Sequence, residues 1–217
     1  EAAATSTYGD INTWDVSAIT DFSNLFQNKT TFNSDISNWD VSNGTSFSYM
    51  FRNATSFNQD IGSWDVSSGT NFAYMFYSAY TFNQDISSWD VRNGTDFYAM
   101  FAFNYIFNQD ISNWDVSNGK DFTYMFYHSA SFNQDLRSWD VSSGRYFEGM
   151  FWSANAFNQD VSCWNVSSGT SFGLMFYGSA MNSNPWQITT KADFIGQTIT
   201  GNITSEIISG TGGNDVL

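Results

Sequence analysis

Cysteine, proline and histidine are almost missing from this 217-residue chain: Cys163, Pro185 and His128 are single occurrences. One thiol excludes an intramolecular disulfide and any multi-thiolate metal cluster, so stability has to come from packing. One imidazole excludes a histidine metal triad, and it leaves a histidine-dependent nucleophile without support. Positive charge is scarce as well. Seven Lys and Arg stand against 21 Asp and Glu, for a net charge of −14 and a pI near 4.1. That balance has the wrong sign for holding phosphates, so nucleic acid and anionic membrane are excluded as partners. Long apolar runs are lacking and mean hydropathy is −0.32, which excludes a membrane-spanning helix and hence membrane insertion. Residues 1–10 carry neither the basic start nor the apolar stretch of a secretory leader.

What the chain does have is aromatic surface in strict order. Apolar residues make up 41% of the sequence and aromatics 19%. Tryptophan recurs every 25 residues at Trp14, Trp39, Trp64, Trp89, Trp114, Trp139 and Trp164, which defines a solenoid of seven coils. The same period carries Phe22 to Phe172, Phe26 to Phe176 and Phe32 to Phe157, three columns that hold 20 of the 22 phenylalanines and so form the spine of the core. Beside them run a methionine column from Met50 to Met175 and an aliphatic column of Ile11, Ile36, Ile61, Ile86, Ile111, Leu136 and Val161.

Within one coil, Ile36, Trp39 and Val41 follow the L-x-x-L-x-L frame of a leucine-rich repeat. This predicts a short strand with Trp39 and Val41 inward and Asn38, Asp40 and Ser42 on an exposed parallel ladder. Phe47, Met50 and Phe51 stand at i, i+3 and i+4, which predicts a short α or 3₁₀ helix as the opposite wall. Asn33, Asn58, Asn83, Asn108, Asn133 and Asn158 follow the closing phenylalanine and are expected to bond backbone of the neighbouring coil. The fold class expected is therefore an α/β solenoid of seven leucine-rich-repeat-like coils, with a parallel β-sheet on one face and short helices on the other. Residues 1–10 would be an N-terminal edge or cap, 11–181 the solenoid, 182–209 a β-type C-terminal cap and linker, and 210–217 a separate segment.

The motif MF-x-x-A-x-x-FNQDI-x-x-WD, seen from Met50 to Asp65, resembles the BspA-type leucine-rich repeats of bacterial surface proteins over residues 11–181. That resemblance implies an extracellular, secreted or cell-surface adhesion protein and brings no catalytic residues with it. The copies depart from the commonest pattern by placing Gly44, Gly69, Gly94, Gly119, Gly144 and Gly169 after the turn, where only Ile19 is apolar. The terminal GTGGNDVL, Gly210 to Leu217, is similar to the first glycine-rich repeat of an RTX calcium-binding region. There Asp215 would be a calcium ligand in a longer protein, because such sites need consecutive turns.

Two acidic columns stand out. Asp15, Asp40, Asp65, Asp90, Asp115 and Asp140 form a row on the predicted strand face. Neighbours about 5 Å apart repel by roughly 1 kcal/mol in bulk water, so flanking hydroxyl and amide donors, bound cations or a ligand must relieve them. Either solvated scaffold or a ligand-binding face fits that row. The second column, Asp10 to Asp160 in the NQD turn, should accept backbone N–H bonds. Calcium is the one cofactor these carboxylates would admit, by bridging coils within a column. Off the core, Tyr77, Tyr127, Trp152 and Tyr177 share one column and Tyr49, Tyr74 and Tyr124 another. They offer an alternative ligand-binding wall for sugar rings or protein, or else a cover for the core edge. Arg52 and Ala102 interrupt the first row, against a continuous platform. His128 falls in a variable column and Cys163 on the strand face, both read as incidental surface groups. Repetition gives every neighbouring carboxylate pair the same spacing, so a glycosidase reading has no support either.

The sequence thus reads as a non-enzymatic binding or adhesion module that recognises a protein or glycan on another surface through an extended solenoid face. The alternatives are an ice- or crystal-surface-binding protein, from the file Thr20, Thr45, Thr70, Thr95 and Thr170, and a rigid structural spacer.

Overall fold

The computed structural model describes residues 6–181. The expected C-terminal cap, the glycine-rich segment and Asp215 lie outside the described residues. Seven coils begin at Ile11, Ile36, Ile61, Ile86, Ile111, Leu136 and Val161, and from the second coil on each places the same residues inward, while in the first Trp14 and Leu25 are exposed.

The core is a set of stacked rings. Phe22, Phe47, Phe72, Phe97, Phe122, Phe147 and Phe172 lie face over face, with centroids 5.3–5.6 Å apart. The Phe26 column repeats this at 5.5–5.7 Å. Within a coil the second and third phenylalanines also stack, Phe51 on Phe57 at 3.9 Å. Met50 to Met175 and the aliphatic column from Ile36 to Val161 are buried among them. At roughly 1.5–3 kcal/mol per buried large side chain, these columns are the main favourable term.

The backbone that carries this pattern differs from the expected one. Between Trp14 and Met181 no residue lies in a helix or an extended strand. A 3₁₀ helix, η1, Ile11–Thr13, precedes this stretch, capped by the Asp10 carboxylate, which accepts the Asn12 N–H. The predicted parallel sheet at Trp39–Val41 is absent. Among the described residues the parallel bridges are isolated ones joining Asp21, Ser46, Asn71, Asp96, Asp121, Tyr146 and Ser171, and they lie beside the wall predicted to be helical.

That wall is a run of overlapping turns. The N–H groups of Phe22, Asn24, Phe26 and Asn28 donate to the carbonyls of Ser46, Ser48, Met50 and Arg52 in the next coil, at 2.8–3.0 Å. Those of Leu25, Gln27 and Lys29 reach back three residues within their own coil. A helix would keep every N–H inside the coil, whereas here alternate ones leave it. This geometry needs a left-handed residue twice per coil, and all fourteen such positions have φ between 50° and 72°. Asn or Gly occupies five: Asn24, Asn28, Asn53, Gly149 and Gly178. Tyr49, Tyr74, Ala99, Phe103, Tyr124 and four others adopt it without that help, at about 1–2 kcal/mol each.

On the Trp face the coils are tied by side chains. From the second coil on, each indole N–H of the column donates to the carbonyl 28 residues earlier: Trp39 to Ile11, Trp64 to Ile36, Trp89 to Ile61, Trp114 to Ile86, Trp139 to Ile111 and Trp164 to Leu136, at 2.8–3.1 Å. A buried indole has to find such an acceptor. The Trp39 N–H is spent in a turn on Ile36, so it cannot join a ladder. The asparagine column behaves as its spacing suggests, each Oδ1 accepting the next coil's Asn N–H, as in Asn83 to Asn58 at 3.0 Å. Gly44 and its equivalents are required by the core. A Cβ on Gly44 would meet Phe47 Cζ at 2.6 Å and the Val41 carbonyl at 2.9 Å.

Candidate functional site: an aromatic notch on the turn wall

The acidic row is held inside each coil. Asp40 Oδ1 accepts both the N–H and the hydroxyl of Ser42, at 3.0 and 2.6 Å. Asp15 does the same with Ser17. Asp65, Asp115 and Asp140 accept from the backbone of Ser67, Ser117 and Ser142. Asp90 takes the N–H and the guanidinium of Arg92. Hydrogen bonds from the serine side chain, then its backbone, hold Asp15, Asp40, Asp65, Asp115 and Asp140 below the ordinary carboxylate range. Repulsion from the neighbouring coil is the smallest influence on Asp40, Asp65 and Asp140. Asn165 closes the same turn with its amide oxygen on the Ser167 N–H at 3.1 Å, so the position calls for an acceptor more than for a charge. The second column likewise accepts backbone N–H groups, as Asp85 does from Ser87. Among the described residues, no three His, Cys, Asp or Glu side chains stand close enough to hold one ion.

The turn wall is different in kind, because its outward residues are aromatic and several sit on the left-handed backbone positions. In coil two, the Arg52 guanidinium lies over the rings of Tyr49, Tyr74 and Tyr77 at 5.7, 5.8 and 5.3 Å. Its Nε is buried with no hydrogen-bond partner. In coil four both wall columns fall to alanine, and Ala99 and Ala102 are buried at the floor. Tyr74 and Tyr77 of coil three stand on one side of this gap and Tyr124 and Tyr127 of coil five on the other, with Tyr98 and Phe103 completing the frame. The result is a notch of about 230 Å³, with Arg52 at its edge.

The frame is braced from outside. Tyr74 is 4.9 Å from Tyr98 and is hydrogen-bonded to it. Burial first, and that bond second, push the Tyr74 hydroxyl up to about 12. Tyr98 meets Tyr124 edge-on at 6.0 Å. Phe103 stacks on His128 at 5.0 Å and meets Tyr127 at 4.9 Å. Tyr124 donates its hydroxyl to Glu148 Oε1 at 3.0 Å, and its ring occupies the space over Gly149 that a Cβ would need. On the Tyr98 side Asp96 is half-buried. Burial, opposed by the Tyr98 N–H and aided by the Asp121 charge, raises its carboxyl above the ordinary range.

Of the wall residues named from sequence, Tyr77 and Tyr127 of the first column and Tyr74 and Tyr124 of the second line the notch. Trp152 meets Tyr127 edge-on at 5.1 Å outside it, and Tyr177, 5.8 Å further along, is exposed. The structure brings the six row aspartates to no common point with the aromatics. His128, taken for a residue without a partner, is half-buried against Phe103 and Tyr127, and burial lowers its pKa. Tyr98, Phe103, Ala99 and Ala102 escaped the sequence reading as lining residues. The signal was the coincidence of two alanines in the coil that holds Phe103, the one phenylalanine of the repeat outside the three columns.

A seven-coil solenoid cemented by stacked phenylalanines defines a repeat protein. Residues 1–105 and 95–188 match the family described as Mycoplasma protein of unknown function, DUF285, and the chain belongs to that family. No curated protein and no solved structure shows a match to the chain.

Proposed function

We propose that the solenoid is a non-enzymatic binding module, the adhesive part of a secreted or surface-attached protein, and that it takes a protein or glycan on its aromatic wall. The observation that carries this reading is the notch itself. Tyr74, Tyr77, Tyr124 and Tyr127 frame it over the buried Ala99 and Ala102, so aromatic faces and an apolar floor meet at one place on the wall. The BspA-like signatures support surface exposure. If the glycine-rich terminus belongs to an RTX region, calcium would act there rather than on the coils. The ice-binding alternative draws less support, because Thr45, Thr70, Thr95 and Thr170 each spend the hydroxyl proton on the carbonyl one coil back.

Glycan and surface-protein arrays probed with three forms of the chain test the reading. Ala102→Tyr restores the residue found at Tyr77 and Tyr127, so the backbone accepts it, and it fills the notch. Binding is expected to be lost in Ala102→Tyr and kept in the triple variant Asp65→Asn, Asp90→Asn, Asp115→Asn. The opposite pattern moves the site to the acidic row, and a chain that binds nothing on either array is a spacer.

A further inference from the structure

Arg52 is unusual among the basic residues. Arg92 and Arg137 are exposed and ion-paired, with Asp90 at 2.8 Å and Asp135 at 2.6 Å. Among the described residues Arg52, Lys29, Lys120 and Arg145 make no ion pair, and of these Arg52 is the one packed against rings with a buried nitrogen. Three tyrosine rings surround its guanidinium, and its buried Nε has no hydrogen-bond partner. A guanidinium held among rings and paired with no carboxylate among the described residues suits a ligand carboxylate in charge and in hydrogen-bonding geometry. It stands at the edge of a gap whose walls are aromatic faces and whose floor is two methyl groups, and aromatic faces of this sort accept the apolar face of a sugar ring. At about 230 Å³ the notch falls below the range typical of drug-sized ligands and suits a single ring.

We propose that the coil-four notch is a subsite for a carboxylated sugar, a uronic-acid-type pyranose within a longer glycan. The ring lies over Ala99 and Ala102 between Tyr74, Tyr77, Tyr124 and Tyr127, and the carboxylate pairs with Arg52. This rests on the wall-binding reading above and narrows it to one ligand chemistry. An acidic peptide could pair with Arg52, but its side chain has no ring to fill the notch. A basic ligand would meet Arg52 at the entrance. In a chain of net charge −14, an anionic ligand meets long-range repulsion, so binding should depend on the local pairing with this one arginine.

Calorimetric titration with tetramers of galacturonate, glucuronate and mannuronate, each beside its methyl ester, tests the assignment. Esterification keeps the ring and removes the charge. The expected result is that at least one acid binds at least tenfold more tightly than its ester. Arg52→Gln, which places the Gln27 side chain type at this column, should abolish that difference, and Ala102→Tyr should abolish binding of both forms. Acid and ester binding alike, both lost in Ala102→Tyr, overturns the acidic-sugar assignment and leaves the wall reading standing. Binding of an acidic peptide, poly-glutamate, with the same Arg52 dependence but no uronate binding overturns the sugar in favour of protein. Uronate binding untouched by Ala102→Tyr overturns the notch as its site. No binding of any uronate also overturns this assignment, and the arrays judge the broader reading separately.

Discussion

Gly94→Ala separates two accounts of why glycine recurs after the turn. A Cβ there would lie 2.5 Å from Phe97 Cζ and 2.9 Å from the Val91 carbonyl. Phe97 is stacked 5.6 Å from Phe72 on one side and 5.6 Å from Phe122 on the other, so its ring cannot slide along the solenoid without opening one stack and compressing the other. Overpacking a rigid core costs about 1–3 kcal/mol. At 2–4 °C per kcal/mol for a chain of this size, a cost of about 2 kcal/mol lowers the melting temperature by roughly 4–8 °C. Gly62→Ser is the control. Its Cβ would approach the Asp85 carbonyl equally closely, at 2.6 Å, yet Ser37, Ser87, Ser112 and Ser162 occupy that position in other coils, so the backbone relaxes cheaply there. Paired thermal melts followed by circular dichroism and tryptophan fluorescence decide the matter. A loss in Gly94→Ala no larger than that in Gly62→Ser would refute the claim that the phenylalanine stacks are too rigid to yield. Ile19 shows where they do yield, at the first coil, where Phe22 has a stacked partner, Phe47, on one side among the described residues.

Ser153→Asn should raise stability by up to about 1 kcal/mol in chemical denaturation, because Asn tolerates the left-handed backbone at φ 56° that it already occupies at Asn28 and Asn53. A loss would show that the left-handed wall positions are unstrained. Asp96→Asn should stabilise at neutral pH. The native carboxyl is raised, so its contribution is full below the ordinary carboxylate range and is lost as pH rises through the native value. The gain over wild type should therefore shrink on acidification in a pH series of melts, and a pH-independent gain would point to packing instead. The acidic row runs the opposite way: its lowered carboxyls support the fold above the ordinary range and lose that support as pH falls. Calcium at millimolar concentration, compared with chelator, should leave the melting temperature unchanged, since each row aspartate already has donors in its own coil. A clear upward shift would make that row a cation site.

Which side chains face inward was legible from the sequence because the 25-residue period is unbroken, and the phenylalanine, methionine, tryptophan and aliphatic columns are buried as that period implies. The backbone beneath them was not legible. Phe47, Met50 and Phe51 face one side in a helix, and they do so equally in three overlapping turns, so the i, i+3, i+4 stripe does not distinguish the two. Residue type gave no warning either, since Tyr, Ala, Phe and Leu at left-handed positions contradict the usual glycine and asparagine signal. On the other face Trp39 and Val41 point inward as expected, but indole, amide and hydroxyl donors tie the coils where a backbone ladder was expected. The aromatic wall was visible as two columns. Its notch was not, because Arg52 and Ala102 look like defects along a single column and become an edge and a floor only when three coils are seen together.

The alternation of bonds along the turn wall separates what folds the chain from what it displays. Phenylalanine and methionine hold each coil to its neighbours from within, and the backbone bonds its neighbour through atoms that every residue type shares. The left-handed positions and the residues beside them are therefore open to change without altering the register. A duplication or loss of one 25-residue unit would move this surface by one step and leave every remaining bond intact. The solenoid is thus suited to diversification: a library varied at the positions of Tyr49, Arg52 and Asn53, with proline and β-branched residues left out of the first and last, should remain folded while its members differ in what they hold.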